Sequence, residues 1–322
     1  MATIDPADLA DALAEGFPQA TVEKVQRLLG ILRELQTDRS TKGRFTLKGG
    51  TALNVFHSSK LPRLSVDLDL MTTGFVGAAA GTAAHERVVV LVERVVRRLG
   101  YASSRTESPA ACTIDCRYRN LFGGVDHLKI DLDLLNRQTL LPARSLRGPR
   151  LFLADDVRFP VVREAELLGQ KLVAVAYRAH PRDLYDMHAM LQSGWHARAR
   201  ARHMYLAYSF LSDHEWYRLA YPVRLRVDYQ PRLLEDVLRD RDPAPTLAEI
   251  RAVARAALER ADPPFTIATL REQSLRRNLL KGERNAFADI AGETVATRRR
   301  KLARHPGLAW RLRQAARPAA HR

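Results

Sequence analysis

Cysteine is nearly missing from this chain. Cys112 and Cys116 are the only two. They share one strand-like segment and have no Cys-rich partner to complete a zinc site, so they read as ordinary strand residues. Long apolar runs are missing as well. The most apolar stretch, Val88 to Leu99, is interrupted by Glu93, Arg94 and Arg97, which excludes a bilayer span. Met1-Ala2-Thr3-Ile4-Asp5 has neither a basic start nor an apolar signal core, so a cytoplasmic protein with no membrane partner is expected. Histidines never take metal-ligand spacing such as His-Glu-x-x-His and default to structural roles. Neither Gly-x-Ser-x-Gly nor a Walker-type loop occurs, which removes the esterase and P-loop classes. There is no internal repeat and no low-complexity segment.

Acid is the other shortage. Lys plus Arg number 52 against 36 Asp plus Glu, a formal net charge of +16. Such an excess favours polyanionic partners, RNA or DNA first. An arginine-preferring composition would give the same balance without any such partner. Distribution helps decide, because nine Arg or Lys and no acid lie between Arg298 and the end. Arg298, Arg299, Arg300 and Lys301 open that run and are the candidate phosphate-backbone contacts, with a solvated helix face as the alternative.

What is present is long enough for one large domain or two moderate ones, with 322 residues of which 46% are hydrophobic. Residues 6–38 read as two helices, with Val25, Leu28, Leu29, Leu32 and Leu35 as an apolar stripe at helical spacing. A strand over 44–48 turns at Gly49-Gly50 into a short helix at 51–58. Gly74 to Gly81 reads as a loop, and Val88, Leu91, Val92, Val95, Val96 and Leu99 as an amphipathic helix. Two alternating strands, Cys112 to Tyr118 and Leu128 to Leu134, flank a Gly123-Gly124 turn. After Pro160 the sheet signals stop. Glu164 to Arg178 is a helix with Leu167, Leu168, Leu172 and Val175 buried and with Lys171 and Arg178 on another face. Thr246-x-x-Glu249 is a capping box before Ile250.

The chemistry concentrates in one region. Two glycines at a strand-to-helix turn bring backbone N–H groups close to whatever docks there. Ser65 to Leu70 alternates polar and apolar, placing Ser65, Asp67 and Asp69 on one strand face and Val66, Leu68 and Leu70 on the other. Two adjacent carboxylates make chemical sense around a divalent cation. A phosphate cradle beside a carboxylate pair is equipment for phosphoryl or nucleotidyl transfer. On the later strand Asp131 and Asp133 share a face with Lys129, and either can supply the third carboxylate; a solvated strand face is the bland alternative.

Lys48-Gly49-Gly50-Thr51-Ala52-Leu53 followed by Arg63-x-Ser65-x-Asp67-Leu68-Asp69-Leu70 resembles the DNA polymerase β-type nucleotidyltransferase superfamily. Within it, the strings resemble the AbiEii/AbiGii-type toxins of bacterial toxin–antitoxin systems. Lys171-x-x-Ala174-x-x-x-Arg178 with Pro181-Arg182-Asp183-Leu184-Tyr185-Asp186, and Arg304-His305-Pro306-Gly307-Leu308-Ala309-Trp310, resemble further elements of that family in the same order. The resemblance implies an α/β (α+β) nucleotidyltransferase core with a helical C-terminal domain. The expected domains are 1–160, with the core over about 40–160, and 161–322.

It also implies Mg²⁺- or Mn²⁺-dependent transfer of a nucleotide from an NTP to RNA, the 3′ end of tRNA in relatives, so that translation stops. A cognate antitoxin protein is the implied partner. Asp67 and Asp69 are the implied metal ligands, with Asp131 preferred over Asp133 as the third. Gly49, Gly50, Thr51 and Ser65 are the implied phosphate cradle. Lys171, with Arg178, is expected to neutralise the leaving pyrophosphate, and Asp186 to orient Lys171 or the base. Without the family, Lys171 and Asp186 read as a surface ion-pair cluster. Two rivals remain. A small-molecule nucleotidyltransferase of the aminoglycoside-modifying kind would need an acidic pocket, which the positive charge disfavours. A non-catalytic basic RNA-binding protein would be supported by a missing carboxylate, and none is missing.

Overall fold

The computed structural model describes residues 9–58, 63–75, 83–149, 157–212 and 228–316. The Met1 to Asp5 start, the stretch running up to Gly81, and Arg317 and Arg322 lie outside the described residues. By contacts the chain divides into two compact units. One comprises Met1–Arg163 with Leu234–Ala244, the other Glu164–Leu233 with Pro245–Arg322.

The first unit is built on a seven-stranded mixed sheet. Its strands are β1 (Thr46–Lys48), β2 (Asp67–Met71), β3 (Ala102–Glu107), β4 (Ala111–Arg119), β5 (Val125–Asp133), β6 (Arg144–Arg147) and β7 (Arg158–Val161), in the order β3-β4-β5-β2-β1-β7-β6. β2 pairs parallel with β5 and antiparallel with β1. The period-two pattern explains the central strands: Leu68, Leu70, Cys112, Ile114, Cys116, Leu128, Ile130 and Leu132 are all buried. Burial pushes the thiols of Cys112 and Cys116 up, to about 11 and about 12, as befits inert strand residues. The β4–β5 hairpin closes through Asn120 to Gly124, with Gly123 at φ +80°.

Helices α1 (Ala10–Ala14), α2 (Gln19–Thr37) and α4 (Ala83–Arg98) belong to this unit. The stripe Val25, Leu28, Leu29, Leu32 and Leu35 is buried throughout, as are Val88, Val92, Val95 and Val96. Between β1 and β2, α3 (Gly49–Thr51) continues as a π-helix over Ala52–His57, so the helix begins at the glycines themselves. The edge strands β3 and β6 carry almost no apolar alternation, which is why neither is legible as a strand. The segment Leu234–Ala244 returns to this unit: Leu64 donates to the Val237 carbonyl at 2.8 Å and Thr21 to that of Asp236 at 2.5 Å. That return takes the Leu64 amide out of the sheet ladder. The carboxylate strand starts at Asp67 and not at the expected Ser65.

The second unit is helical: α5 (Glu164–Arg178), α6 (Pro181–Gln192), α7 (Ala201–Leu211), α8 (Leu247–Ala254), α9 (Leu270–Leu280), α10 (Asn285–Ile290), α11 (Ala296–Ala303) and α12 (Pro306–Ala315). Gly169 lets α5 close on α7, because a Cβ there would meet the Met204–Tyr205 backbone at 2.7 Å. Thr246 and Glu249 form the expected capping box, and Thr269 with Glu272 forms a second. His180 and His305 each precede a proline at the helix start and accept the N–H two residues on, from Arg182 at 3.2 Å and Gly307 at 3.1 Å. The His305-Pro306 element is thus a helix cap, with the ring buried beside Phe287.

Candidate active site

In the first unit, adjacent strands carry polar side chains in rows across one sheet face. Lys48 on β1 is registered with Asp69 on β2, Asp69 with Asp131 on β5, and Asp131 with Thr113 on β4. Registered partners share a face, so Lys48, Asp69, Asp131 and Thr113 stand side by side. Asp67 lies two residues before Asp69 on the same face, opposite Lys129. Asp67, Asp69 and Asp131 are all half-buried, dry enough for strong electrostatics and still reachable by a substrate.

The glycine turn opens onto this row. Gly49 sits at φ +69°, and a Cβ on it would run into the Asp69 carboxylate. A Cβ on Gly50 would lie 2.8 Å from the Ser65 hydroxyl and 3.0 Å from the Arg63 guanidinium. Glycine is required at 49 by conformation and by contact, and the turn is pressed against Asp69 and Ser65 together. Thr51 is buried, and its hydroxyl donates to the Asp67 carbonyl at 2.5 Å. It stitches the helix start to the carboxylate strand rather than presenting its proton to a ligand.

The two candidates for third carboxylate have different surroundings. Asp133 accepts from the Lys48 ammonium at 2.6 Å, from the amides of Leu135 at 3.1 Å and Asn136 at 2.7 Å, and from the Asn136 side chain at 3.2 Å. Both its oxygens are engaged in a turn and an ion pair. Asp131 instead receives one hydrogen bond, from the Thr113 hydroxyl at 2.5 Å, which orients it beside Asp69. Neither Thr113 nor the role of Lys48 was singled out by sequence reasoning; the β4–β5 register that selects Thr113 is a tertiary fact.

Burial works against the Lys48 ammonium, but Asp133, Asp69 and Asp131 outweigh it and hold the group above the ordinary lysine value. A cation is therefore drawn into the carboxylates, and carboxylate oxygens are donors that suit a hard divalent ion. Among the described residues no three His, Cys, Asp or Glu side chains gather into a finished metal cage. That is compatible with Mg²⁺, which keeps several waters and completes its shell with substrate phosphate.

The second unit holds the other motif. Lys171 on α5 donates to Asp183 at 2.8 Å and pairs with Asp186 at 2.9 Å, both on α6. Arg178 pairs with Asp183 at 2.6 Å. Apart from Arg178, which is 64% exposed, the cluster is not on the surface: the Asp186 side chain is 0% exposed, that of Asp183 3% and that of Lys171 11%. Burial opposes ionisation of Asp183, yet Lys171 and Arg178 outweigh it and hold the carboxyl well below the usual carboxylate range. Asp183 escaped selection in the sequence, although its i, i+3 spacing to Asp186 put both on one helix face.

Tertiary structure also divides the basic C-terminal run. Arg298 pairs with Glu293 at 3.3 Å and Arg299 with Asp289 at 2.7 Å. Arg311 is buried, donates to the Phe210 carbonyl at 3.2 Å and stacks on the Phe210 ring. Arg300, Lys301, Arg304 and Arg313 are exposed. A run without acids in sequence thus meets acids in space, and Arg298 and Arg299 are partly neutralised.

No helix among the described residues is long and apolar enough to cross a membrane. The family model described as "Nucleotidyl transferase AbiEii toxin, Type IV TA system" matches residues 31–315. No curated protein matches. Among solved structures, the nucleotidyltransferase toxin MenT4 of Mycobacterium tuberculosis H37Rv is similar in fold, with a TM-score of 0.57 at 17% identity, covering 97% of this chain and 98% of that one.

Proposed function

The chain belongs to the AbiEii nucleotidyltransferase toxin family, and from that premise we propose that it transfers a nucleotide from an NTP to an RNA acceptor, the 3′ end of tRNA. Pyrophosphate leaves, and translation stops for want of a usable acceptor end. The reaction takes place in the cytoplasm and depends on Mg²⁺ or Mn²⁺; a cognate antitoxin restrains it. The observation that carries this reading is the packing of Gly49 against Asp69, on a face shared with Asp67 and Asp131.

Asp67, Asp69 and Asp131 would hold the divalent cation, which supplies Lewis-acid charge neutralisation and lowers the pKa of the attacking hydroxyl. Asp131, oriented by Thr113, also assists removal of the acceptor 3′-hydroxyl proton. The N–H groups of Gly49 and Gly50 and the Ser65 hydroxyl bind the β- and γ-phosphates, while Thr51 keeps that turn docked on the carboxylate strand. Lys171 and Arg178 take the role that the family motif implies, balancing charge on the departing pyrophosphate. Asp183 and Asp186 hold the Lys171 ammonium in one place. Arg300, Lys301, Arg304 and Arg313, the exposed cations of the described C-terminal run, meet the RNA backbone.

The test is incubation of the purified chain with each radiolabelled NTP, total tRNA and Mg²⁺ or Mn²⁺. Label should enter tRNA with one NTP preferred and vanish in Asp67→Asn. Equal label transfer by a folded Asp67→Asn protein would sink the proposal.

A further inference from the structure

We propose that Lys48 is the resident counter-cation of the carboxylate face: it keeps Asp133 out of the metal-ligand set and weakens cation binding until a nucleotide arrives. The proposal rests on the metal-site reading above. Lys48 ends β1 directly before Gly49, and its register partner is Asp69, whose own partner is Asp131. Neighbouring strands lie about 4.8 Å apart. To bond Asp133 on β5 at 2.6 Å, the Lys48 side chain must therefore pass over β2 and bring its ammonium across the face that carries Asp69. The pair is largely shielded, with side-chain exposures of 24% and 11%.

Two consequences follow from charge. Asp133 already satisfies two backbone amides, an Asn136 amide and Lys48, so it anchors the ammonium instead of ligating a metal. The ammonium in turn stands close enough to Asp69 and Asp131 to interact with both, and a like charge so near opposes a free divalent cation. An NTP brings several negative charges of its own. Its phosphates tip the balance, and cation and nucleotide then bind as a unit. Lys48 is a positioning residue here: it acts on the carboxylates and needs no contact with the reacting atoms.

The experiment is Mn²⁺ binding to the full chain without nucleotide, followed by electron paramagnetic resonance. Lys48→Met should tighten Mn²⁺ binding by about tenfold or more, the scale of one nearby charge removed, whereas Lys48→Arg should stay near the wild type. Lys48→Met combined with Asp133→Asn removes the pair together, leaves no buried charge unpaired and so serves if the single variant folds poorly. It should bind Mn²⁺ within about threefold of the wild type, since no net charge is lost from the face. Unchanged or weaker Mn²⁺ binding in folded Lys48→Met, or lost binding in the double variant, overturns the proposal. Adding Asp67→Asn to Lys48→Met should erase the gain. A gain that survives Asp67→Asn would instead place the cation elsewhere and overturn the metal-site reading as well.

Discussion

The two ionic clusters of this protein are built on opposite balances of charge. On the sheet face, Asp67, Asp69, Asp131 and Asp133 stand with Lys48 and, at the edge of the row, Lys129. In the helical unit, Asp183 and Asp186 meet Lys171 and Arg178, two against two, with all but the exposed Arg178 nearly out of water. A buried cluster that balances internally is self-sufficient, and removing one member leaves a stranded charge. A half-buried row of carboxylates on a sheet face can take a cation from outside. The first kind holds geometry, and the second invites a ligand.

The largest effect expected from this contrast is on catalysis. Asp67→Asn or Asp69→Asn should reduce nucleotide transfer by at least about a hundredfold, the scale of removing one electrostatic catalytic element. The melting temperature should hold or rise, because one of several crowded like charges is gone. A marked loss of stability with transfer per folded molecule intact would erase the contrast.

Lys171→Ala should behave differently. It takes the ammonium away from two buried carboxylates and leaves Asp183 to the exposed Arg178, at a cost of about 3 kcal/mol, so thermal unfolding should drop by several degrees along with activity. If instead the melting point stays put, the cluster is not the self-contained element described. Transfer per folded molecule, measured below the transition, then separates the pyrophosphate role from the structural one.

Next in size is Thr113→Val, which frees Asp131 to rotate. Loss of such a supporting hydrogen bond costs about tenfold to a hundredfold in metal affinity or activity at comparable sites. The half-saturating Mg²⁺ concentration should rise accordingly. No change in metal dependence would remove Asp131 from the ligand set.

A pH test addresses the balanced cluster. Asp183 has a depressed folded-state pKa, so its contribution is present above the unfolded value of about 3.9 and fades as pH falls through the lower folded value. Asp183→Asn should therefore destabilise the protein near neutrality and flatten the acid limb of its stability curve. A parallel downward shift at every pH would mean that the charge on Asp183 is not what matters.

The smallest effects belong to the C-terminal cations. Arg300→Gln with Lys301→Gln should weaken tRNA binding and reduce the slope of log affinity against log salt by up to about 0.7–0.9 per lost contact. Arg298→Gln and Arg299→Gln, whose partners are Glu293 and Asp289, should cost under about 1 kcal/mol of stability each and barely move that slope. The reverse ranking would show that the ion pairs open to RNA.

Much of the sheet unit was legible because its period-two strands and its helical stripe each bury one side. Leu68, Ile114 and Ile130 alternate with polar neighbours, and Leu28 and Leu32 recur at helical spacing. The edge strands β3 and β6 were not legible, since edges need no apolar face to remain in a sheet. Ser65 was expected on the strand and lies just ahead of it, where the preceding Leu64 amide bonds to Val237, about 170 residues away. The basic tail read as one surface, and its described residues fall into three populations: paired, buried and exposed.

By itself the sequence determined which chemistry is available, since Gly49-Gly50 and the Asp67/Asp69 pair lie about twenty residues apart on consecutive strands, which the short β1–helix–β2 connection brings to one turn and one strand face. Only the tertiary structure gives Asp131 and Asp133 different surroundings. The two differ by a single period of the same strand, face the same way and have the same side chain. What separates them is the company that distant elements bring: Thr113 from β4 on one, Lys48 from β1 and the Asn136 turn on the other. The same holds for Asp183 and for Arg298. A residue's charge is written in the chain, but whether that charge is spent on a neighbour depends on which neighbour the fold delivers.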